Sequence, residues 1–396
     1  MRATLIAGIT AVFLTAGGGA ALAEEPVPAS LSTVTAPAPE VAPPEPLQPM
    51  YVRPAADTEA GRNDGNPRWS RSGFLFSFER STGDRREIRV QLADGTPVQT
   101  VYHLASSGSG EMKFFFPGVV EDISYNAGLT WSPDEYRLVF MSNGGTGNYD
   151  LFRGDLGAAA FARLTEHKDK DGQADWSPRS DQIVFVSGRT GKGDLYLMEV
   201  SSPTVTRLSQ GTMEHLYPQW SPDGKRVAFM AGSSENHDIF VIDDTARPVE
   251  SRRKLTTWPY DDLRPVWSPD GKKIAFYSNY SPSGDMNTWS IVVVNADGSD
   301  ATDGDGLAAR IVASDVISDV ERGPAWMPDS NRIVYVKNDR HDYHPIYVVN
   351  VTDRATRPFK TDTKMNHDVA CAPDGTIAFR AQVDQWDQIF VARIKE

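Results

Sequence analysis

Seven polar residues stand at one recurring position of this chain: Asp64, Asn126, Asp171, His215, Asp262, Glu321 and Asn366. Each lies five places before a tryptophan or, in the last case, before Cys371. Carboxylates and amides that converge from separate segments can hold a hard cation such as calcium, which takes oxygen ligands. They can equally receive a basic peptide. Asp171, Asp262 and Glu321 are the candidate calcium ligands. Three places before the same residues stand Asn66, Gly128, Gln173, Tyr217, Arg264, Gly323 and Asp368. Arg264 and Asp368 join the first seven as candidate ligand-binding residues.

A second group, Asp339, His341, Asp342 and His344, has the nitrogen and oxygen donors of a transition-metal site. On a polar loop such residues are more often solvated. Asp169-Lys170-Asp171-Gly172 is a fragment of a calcium loop and no more. Familiar catalytic patterns are missing. No Gly-x-Ser-x-Gly elbow is followed by Asp and His. No phosphate-binding glycine loop with Lys and no dinucleotide fingerprint occurs. No catalytic residue is therefore assigned, although a constellation assembled from distant segments would escape motif reading.

The elements that position these residues come from a repeat. Trp220-Ser221-Pro222-Asp223-Gly224 returns as Trp267-Ser268-Pro269-Asp270-Gly271. Worn copies begin at Trp69, Trp131, Trp176, Trp326 and Cys371. The spacing is about 45 residues, the period of a propeller blade or a solenoid unit. Pro presets the first corner of a turn, Asp tolerates the second, and Gly supplies positive φ. Short apolar runs follow each turn, such as Val227-Ala228-Phe229-Met230 and Ile239-Phe240-Val241-Ile242. A last strand closes the unit, as in Arg207-Leu208-Ser209. Counting the strand that ends at Trp gives four strands per unit. Short strands at regular spacing predict an all-β chain, and four per repeat predict a β-propeller. Seven repeats predict seven blades; six, with the Trp69 unit irregular, is the competing count. In a propeller the strand ending at each Trp is innermost, so the residues five places back are expected to ring a hydrated channel mouth.

The repeats resemble those of TolB-type propellers, found also in the propeller domains of the prolyl oligopeptidase and tricorn proteases. The resemblance runs from about Arg62 to Glu396 and implies fold rather than function. The α/β domain that precedes the propeller in TolB is not expected here, since the residues before Arg62 leave no room for one.

Before the repeats, residues 1–23 read as a secretory signal. Arg2 is the basic start, Leu5 to Leu14 the apolar centre, and Ala21-Leu22-Ala23 a small-x-small cleavage site. Residues 24–61 are rich in Pro, Ala and Glu and are expected to be an extended linker. The last repeat ends one strand short, so Met50-Tyr51-Val52-Arg53 is a natural donor of its outermost strand. Two insertions interrupt the repeats, one containing Phe114 to Val120 and one, Ala296 to Leu307, dense in Asp and Gly. The single cysteine, Cys371, replaces a repeat Trp and reads as a core residue.

The net charge of −13 argues against nucleic-acid binding, which needs a basic footprint. The resulting expectation is an exported, periplasmic or secreted propeller. It has no membrane span after processing and acts as a monomer that binds a protein or peptide of the cell envelope through its polar channel-mouth face. Two alternatives differ in class. One is an enzyme on the same face, such as a lyase resembling the seven-bladed oligogalacturonate lyases; an acidic ring would repel a polyuronate. The other is a glycan-binding envelope module that stacks sugars on Trp258, Tyr260, Tyr280, Trp289 and Trp386.

Overall fold

The computed structural model describes residues 44–55, 61–82, 85–102, 126–143, 148–158, 161–233, 236–282, 288–299, 310–318, 322–339 and 343–395. The signal segment, most of the linker, Phe114 to Val120, the bulk of the Asp-rich insertion, Glu321, His341 and Asp342 lie outside them.

Seven antiparallel sheets of four strands each form seven propeller blades, as the repeat count predicts. The third blade is representative: Asp171–Trp176, Gln182–Ser187, Asp194–Glu199 and Ser202–Arg207 are neighbours in that order. Each inner strand ends at the repeat Trp and turns back through the Ser-Pro-Asp-Gly corner. In the fourth blade Gly224 N–H donates to Ser221 O at 2.8 Å, and Asp223 Oδ1 accepts Lys225 N–H at 3.1 Å. Gly224 and Gly271 both sit at φ 68°, which glycine adopts without steric cost. In the worn copies Glu135 and Ser330 occupy that left-handed corner at φ 60° and 57°.

The core lies between blades. Phe76, Phe140, Phe185, Phe229, Phe276 and Phe379, all on second strands, are fully buried. Trp220 and Trp267 pack into one apolar cluster with Val184 and Val186 of the third blade and Phe229 and Phe276 of the next two. Each sheet thus buries both faces against its neighbours, and only the edge of its inner strand borders the central channel.

The last blade takes its outermost strand from upstream of the first repeat. Pro49–Pro54 runs antiparallel to Trp386–Ile394, with Tyr51 opposite Arg393 and Val52 opposite Ala392. Ala55 N–H then donates to Ile389 O, and Leu47 N–H to Pro358 O, both at 2.8 Å. Joining the two ends of the chain this way removes two exposed sheet edges. Among the described residues no helix is long and apolar enough to cross a membrane.

Candidate functional site

The inner strands carry a shared irregularity that decides which side chains meet the channel. In six blades the pairing between inner and second strand slips by one residue just before the Trp. The slip falls between Gly65 and Arg68, Ala127 and Thr130, Gly172 and Asp175, Leu216 and Gln219, Leu263 and Val266, and His367 and Ala370. The extra residue is a β-bulge. It falls at the position three before the Trp, where Asn66, Gln173, Tyr217, Arg264 and Asp368 have φ between 50° and 60° and Gly128 has φ 66°.

A single inserted residue reverses the alternation of side chains upstream of it. Asp171 lies opposite Ser187 while Trp176 lies opposite Ile183, four residues away on the same strand. Both therefore share one face, the face buried against the preceding blade. The same holds for Asp64, His215 and Asp262. The expected wet acidic ring is thus corrected: Asp64, Asp171, His215, Asp262 and Asn366 are all buried. Asn126 occupies the equivalent backbone position, and Glu321 lies outside the described residues.

Each of these buried groups has a local environment that explains it. Asp64 receives Arg80 in a two-pronged ion pair, Nε to Oδ1 and Nη2 to Oδ2, both at 2.7 Å. Burial still raises the Asp64 pKa, with Arg80 opposing it. Asp171 lies 3.2 Å from Arg189 Nη2. His215 Nδ1 is 3.2 Å from Asp194 Oδ1, off hydrogen-bond geometry, and burial pushes the imidazole down to about 4. Asp262 is buried, and burial raises this group well above its ordinary value, with the Ser278 and Thr256 hydroxyls opposing. Burial of this kind disfavours the charged form of a carboxyl group. Asn366 donates to His344 O at 2.8 Å and accepts from Thr363 Oγ1 at 2.7 Å. Asp194, which pairs with Arg207 and Ser209 Oγ, belongs to the same internal scaffolding.

For a metal ion these residues are poorly disposed. The described residues contain no group of three or more His, Cys, Asp or Glu that could hold one. Asp171 already faces a guanidinium, and burial disfavours the charged form of Asp262. Of the second candidate cluster, His344 Nδ1 is instead 3.4 Å from His367 Nε2, with the rings edge to face. Burial pushes His367 down to about 4, with Arg380 and His344 adding to the effect. Cys371 is a free thiol that burial pushes up to about 12, so it stays protonated at neutral pH.

The bulged row borders the channel, and its members engage one another around the ring. Asn66 N–H reaches Asp368 Oδ2 at 3.5 Å, joining the first blade to the last. Asn66 Nδ2 donates to Glu79 Oε2 at 2.9 Å, and Glu79 Oε1 accepts Gly128 N–H at 3.2 Å. Tyr217 N–H donates to Gln173 Oε1 at 2.8 Å. The Arg264 guanidinium lies over the Tyr217 ring, 3.1 Å from its centroid. Gly323 follows, packed so closely on the Arg264 carbonyl and Val266 that a Cβ would collide with both. Asp368 pairs with Arg380 Nε at 2.7 Å. Gln173, Tyr217, Arg264 and Asp368 are half-buried, with surface left for a ligand. Of the candidate ligand-binding residues, then, Arg264 and Asp368 sit at the bulge and keep exposed surface, whereas Asp64, Asp171, His215, Asp262 and Asn366 are buried.

Sequence reasoning also passed over the row directly before the Trp. Thr130 Oγ1, Asp175 Oδ2 and Gln219 Oε1 each accept the backbone N–H of the Trp in the following blade: Trp176 at 3.0 Å, Trp220 at 2.7 Å and Trp267 at 2.9 Å. A signal for the bulge was present. Pro67, Pro218, Pro265 and Pro324 stand two places before their tryptophans, and proline inside a strand marks an edge or a bulge. The aromatic residues proposed to stack sugars divide. Trp258 is buried against Phe276, whereas Tyr260 and Tyr280 meet edge to face at 4.9 Å and are partly exposed.

Comparison with known proteins places this geometry. The profile of the TolB beta propeller domain matches residues 117–299. No curated protein matches the chain significantly. Among solved structures, TolB from Acinetobacter baumannii aligns over 76% of this chain and 67% of its own, at 17% identity and a TM-score of 0.51. An oligogalacturonate lyase in complex with manganese aligns over 89% of this chain and 96% of its own, at 15% identity and a TM-score of 0.64. An oligogalacturonate lyase from Vibrio parahaemolyticus covers the same shares, 89% and 96%, at 13% identity and a TM-score of 0.62. At such identities the likeness is one of fold.

Proposed function

The chain is a TolB-like seven-bladed β-propeller, and from that premise we propose that it is an exported, noncatalytic module that binds a protein or peptide partner at its channel. The contact surface is the end where the inner strands begin, around Gln173, Tyr217, Arg264 and Asp368. The observation that carries this reading is the conformation of those residues. Asn66, Gln173, Tyr217, Arg264 and Asp368 all hold positive φ, at a cost of roughly 1–3 kcal/mol each. Glycine would relieve that cost, and one blade uses it at Gly128. Strain kept at five equivalent places around one channel is the pattern of a ligand-facing row, and loops on a rigid scaffold are where binding resides. The row mixes a cation, an anion, an amide and an aromatic ring, as suits a polypeptide surface. Export rests on the signal-like first 23 residues, and the similarity to TolB agrees with an envelope setting.

The reading is tested by Tyr217→Gly and Arg264→Gly, singly and together. Each loses the contact between the two side chains but relaxes its backbone, so melting temperature should change little. Capture of envelope proteins should fall in both. Variants that recover the same proteins as the parent would overturn the site.

One observation favours a second reading, a metal-dependent lyase. His344 and His367 bring two imidazoles within 3.4 Å in a chain that covers almost the whole of a manganese-bound lyase structure. Manganese should then raise the melting temperature of the parent and not of His367→Ala.

A further inference from the structure

The other end of the channel, where the inner strands finish and the Ser-Pro-Asp-Gly turns begin, holds a cavity of about 340 Å³. Its lining comes from the first blade (Arg68, Trp69, Arg71), the second (Thr130, Trp131), the third (Asp175, Trp176), the approach to the sixth (Arg322) and the seventh (Cys371). Walls drawn from both sides of the ring closure put the cavity on the propeller axis. Its size falls at the low end of the range for small-molecule sites, about 300–1,000 Å³.

The charge of this lining is opposite to that of the chain. Three arginines face one carboxylate in a protein whose net charge is −13. The carboxylate is already engaged: Asp175 accepts Trp220 N–H at 2.7 Å and Thr130 Oγ1–H at 3.3 Å. Burial pushes it up to about 6, with Arg68 among the groups opposing that rise. On the cationic side, Arg68 Nε is buried with no hydrogen-bond partner. Arg71 donates to Pro178 O, and burial together with the neighbouring Arg179 lowers its pKa, with Glu135 opposing. The indole N–H groups of Trp69, Trp131 and Trp176 are also without partners, as are those of Trp220 and Trp258 away from the cavity, whereas those of Trp267 and Trp326 donate to Gln219 O and Val266 O, both at 3.2 Å. The unsatisfied polar atoms named here on the cavity lining are thus donors. A buried donor left unmatched costs about 1–3 kcal/mol, and an acceptor in the cavity would relieve it.

We propose that the axial cavity is a binding site for a small anion bearing phosphate or carboxylate oxygens, held by Arg68, Arg71 and Arg322. Guanidinium groups match both oxyanions through paired hydrogen bonds. The site is separate from the partner surface at the leading end of the strands, so it stands or falls independently of that reading.

The test is titration of the full chain with inorganic phosphate and with succinate, against sodium chloride at matched ionic strength. Tryptophan fluorescence and thermal melting are the two readouts, since three tryptophans line the cavity. Either anion should raise the melting temperature and change the emission beyond the chloride control, and the better of the two identifies the oxyanion. Arg68→Gln should weaken binding at least tenfold. Asp175→Asn, which keeps an acceptor for Trp220 N–H and removes the negative charge, should tighten it. Should Arg68→Gln fail to fold, Asp175→Asn and Arg322→Gln still give opposite shifts. No response beyond chloride with either anion, or equal binding by parent and variants, would overturn the site.

Discussion

At the scale of single residues, the buried charges are internal scaffolding, and their energetics can be ranked. The Arg80 and Asp64 side chains are only 6% and 5% exposed. Removing one partner leaves the other buried and uncompensated, which costs about 3–5 kcal/mol. Asp64→Asn should therefore lower stability by that amount in urea melts. Asp244→Asn, beside an Arg247 side chain that is 74% exposed, should leave the urea midpoint nearly unchanged. His215 supplies a pH signature. The folded state keeps it neutral down to about pH 4, while the unfolded imidazole takes up its proton near its ordinary value of about 6.5. Between those values the unfolded state binds more protons, so this contribution is present above pH 6.5 and lost as pH falls toward 4. In His215→Gln the melting temperature should fall less steeply across that window than in the parent. Parallel pH profiles would remove His215 from the explanation.

Elements come next, and here the turn and the bulge behave oppositely as sequence signals. The turn was legible because its chemistry is local: Pro, Asp and Gly in Trp220-Ser-Pro-Asp-Gly224 specify their own backbone angles, and Gly224 and Gly271 adopt them at φ 68°. The bulge is not encoded by residue type at its own position, where Asn, Gln, Tyr, Arg, Asp and Gly all occur. Simple alternation then put Asp171 and Asp262 on the wrong side of their strands, although Pro218 and Pro265 held a hint. The closing strand Pro49–Pro54 was legible only as a missing partner, because pairing between chain ends leaves no repeat signature. Two stability predictions follow from the elements. Trp220 is buried between blades, so Trp220→Ala should cost roughly 3–5 kcal/mol, and Trp386→Ala, at a half-buried strand start, should cost less. A chain lacking residues 44–55 should melt at markedly lower temperature, and a peptide of those residues added in excess should restore it by mass action. No loss on deletion would mean that the last blade does not need this strand.

For the whole molecule, seven blades create one channel with two chemically different ends. At the end where inner strands begin, a strained row of mixed side chains borders the opening; at the turn end, three arginines surround a cavity. Neither end could be read from the net charge of −13, because many of the acids are spent on pairs inside and between strands, such as Asp64 with Arg80 and Asp194 with Arg207. The claim at the centre is that the bulged row meets a polypeptide partner. The most direct measurement places a photo-crosslinking amino acid at Tyr217, on the channel, and separately at Tyr136, which is 71% exposed beside a turn of the opposite face. Irradiation in the native envelope should give a discrete higher-mass adduct from position 217 and none of that mass from position 136. Absence of an adduct at 217, or the same adduct from both positions, would contradict a partner site at the bulged row.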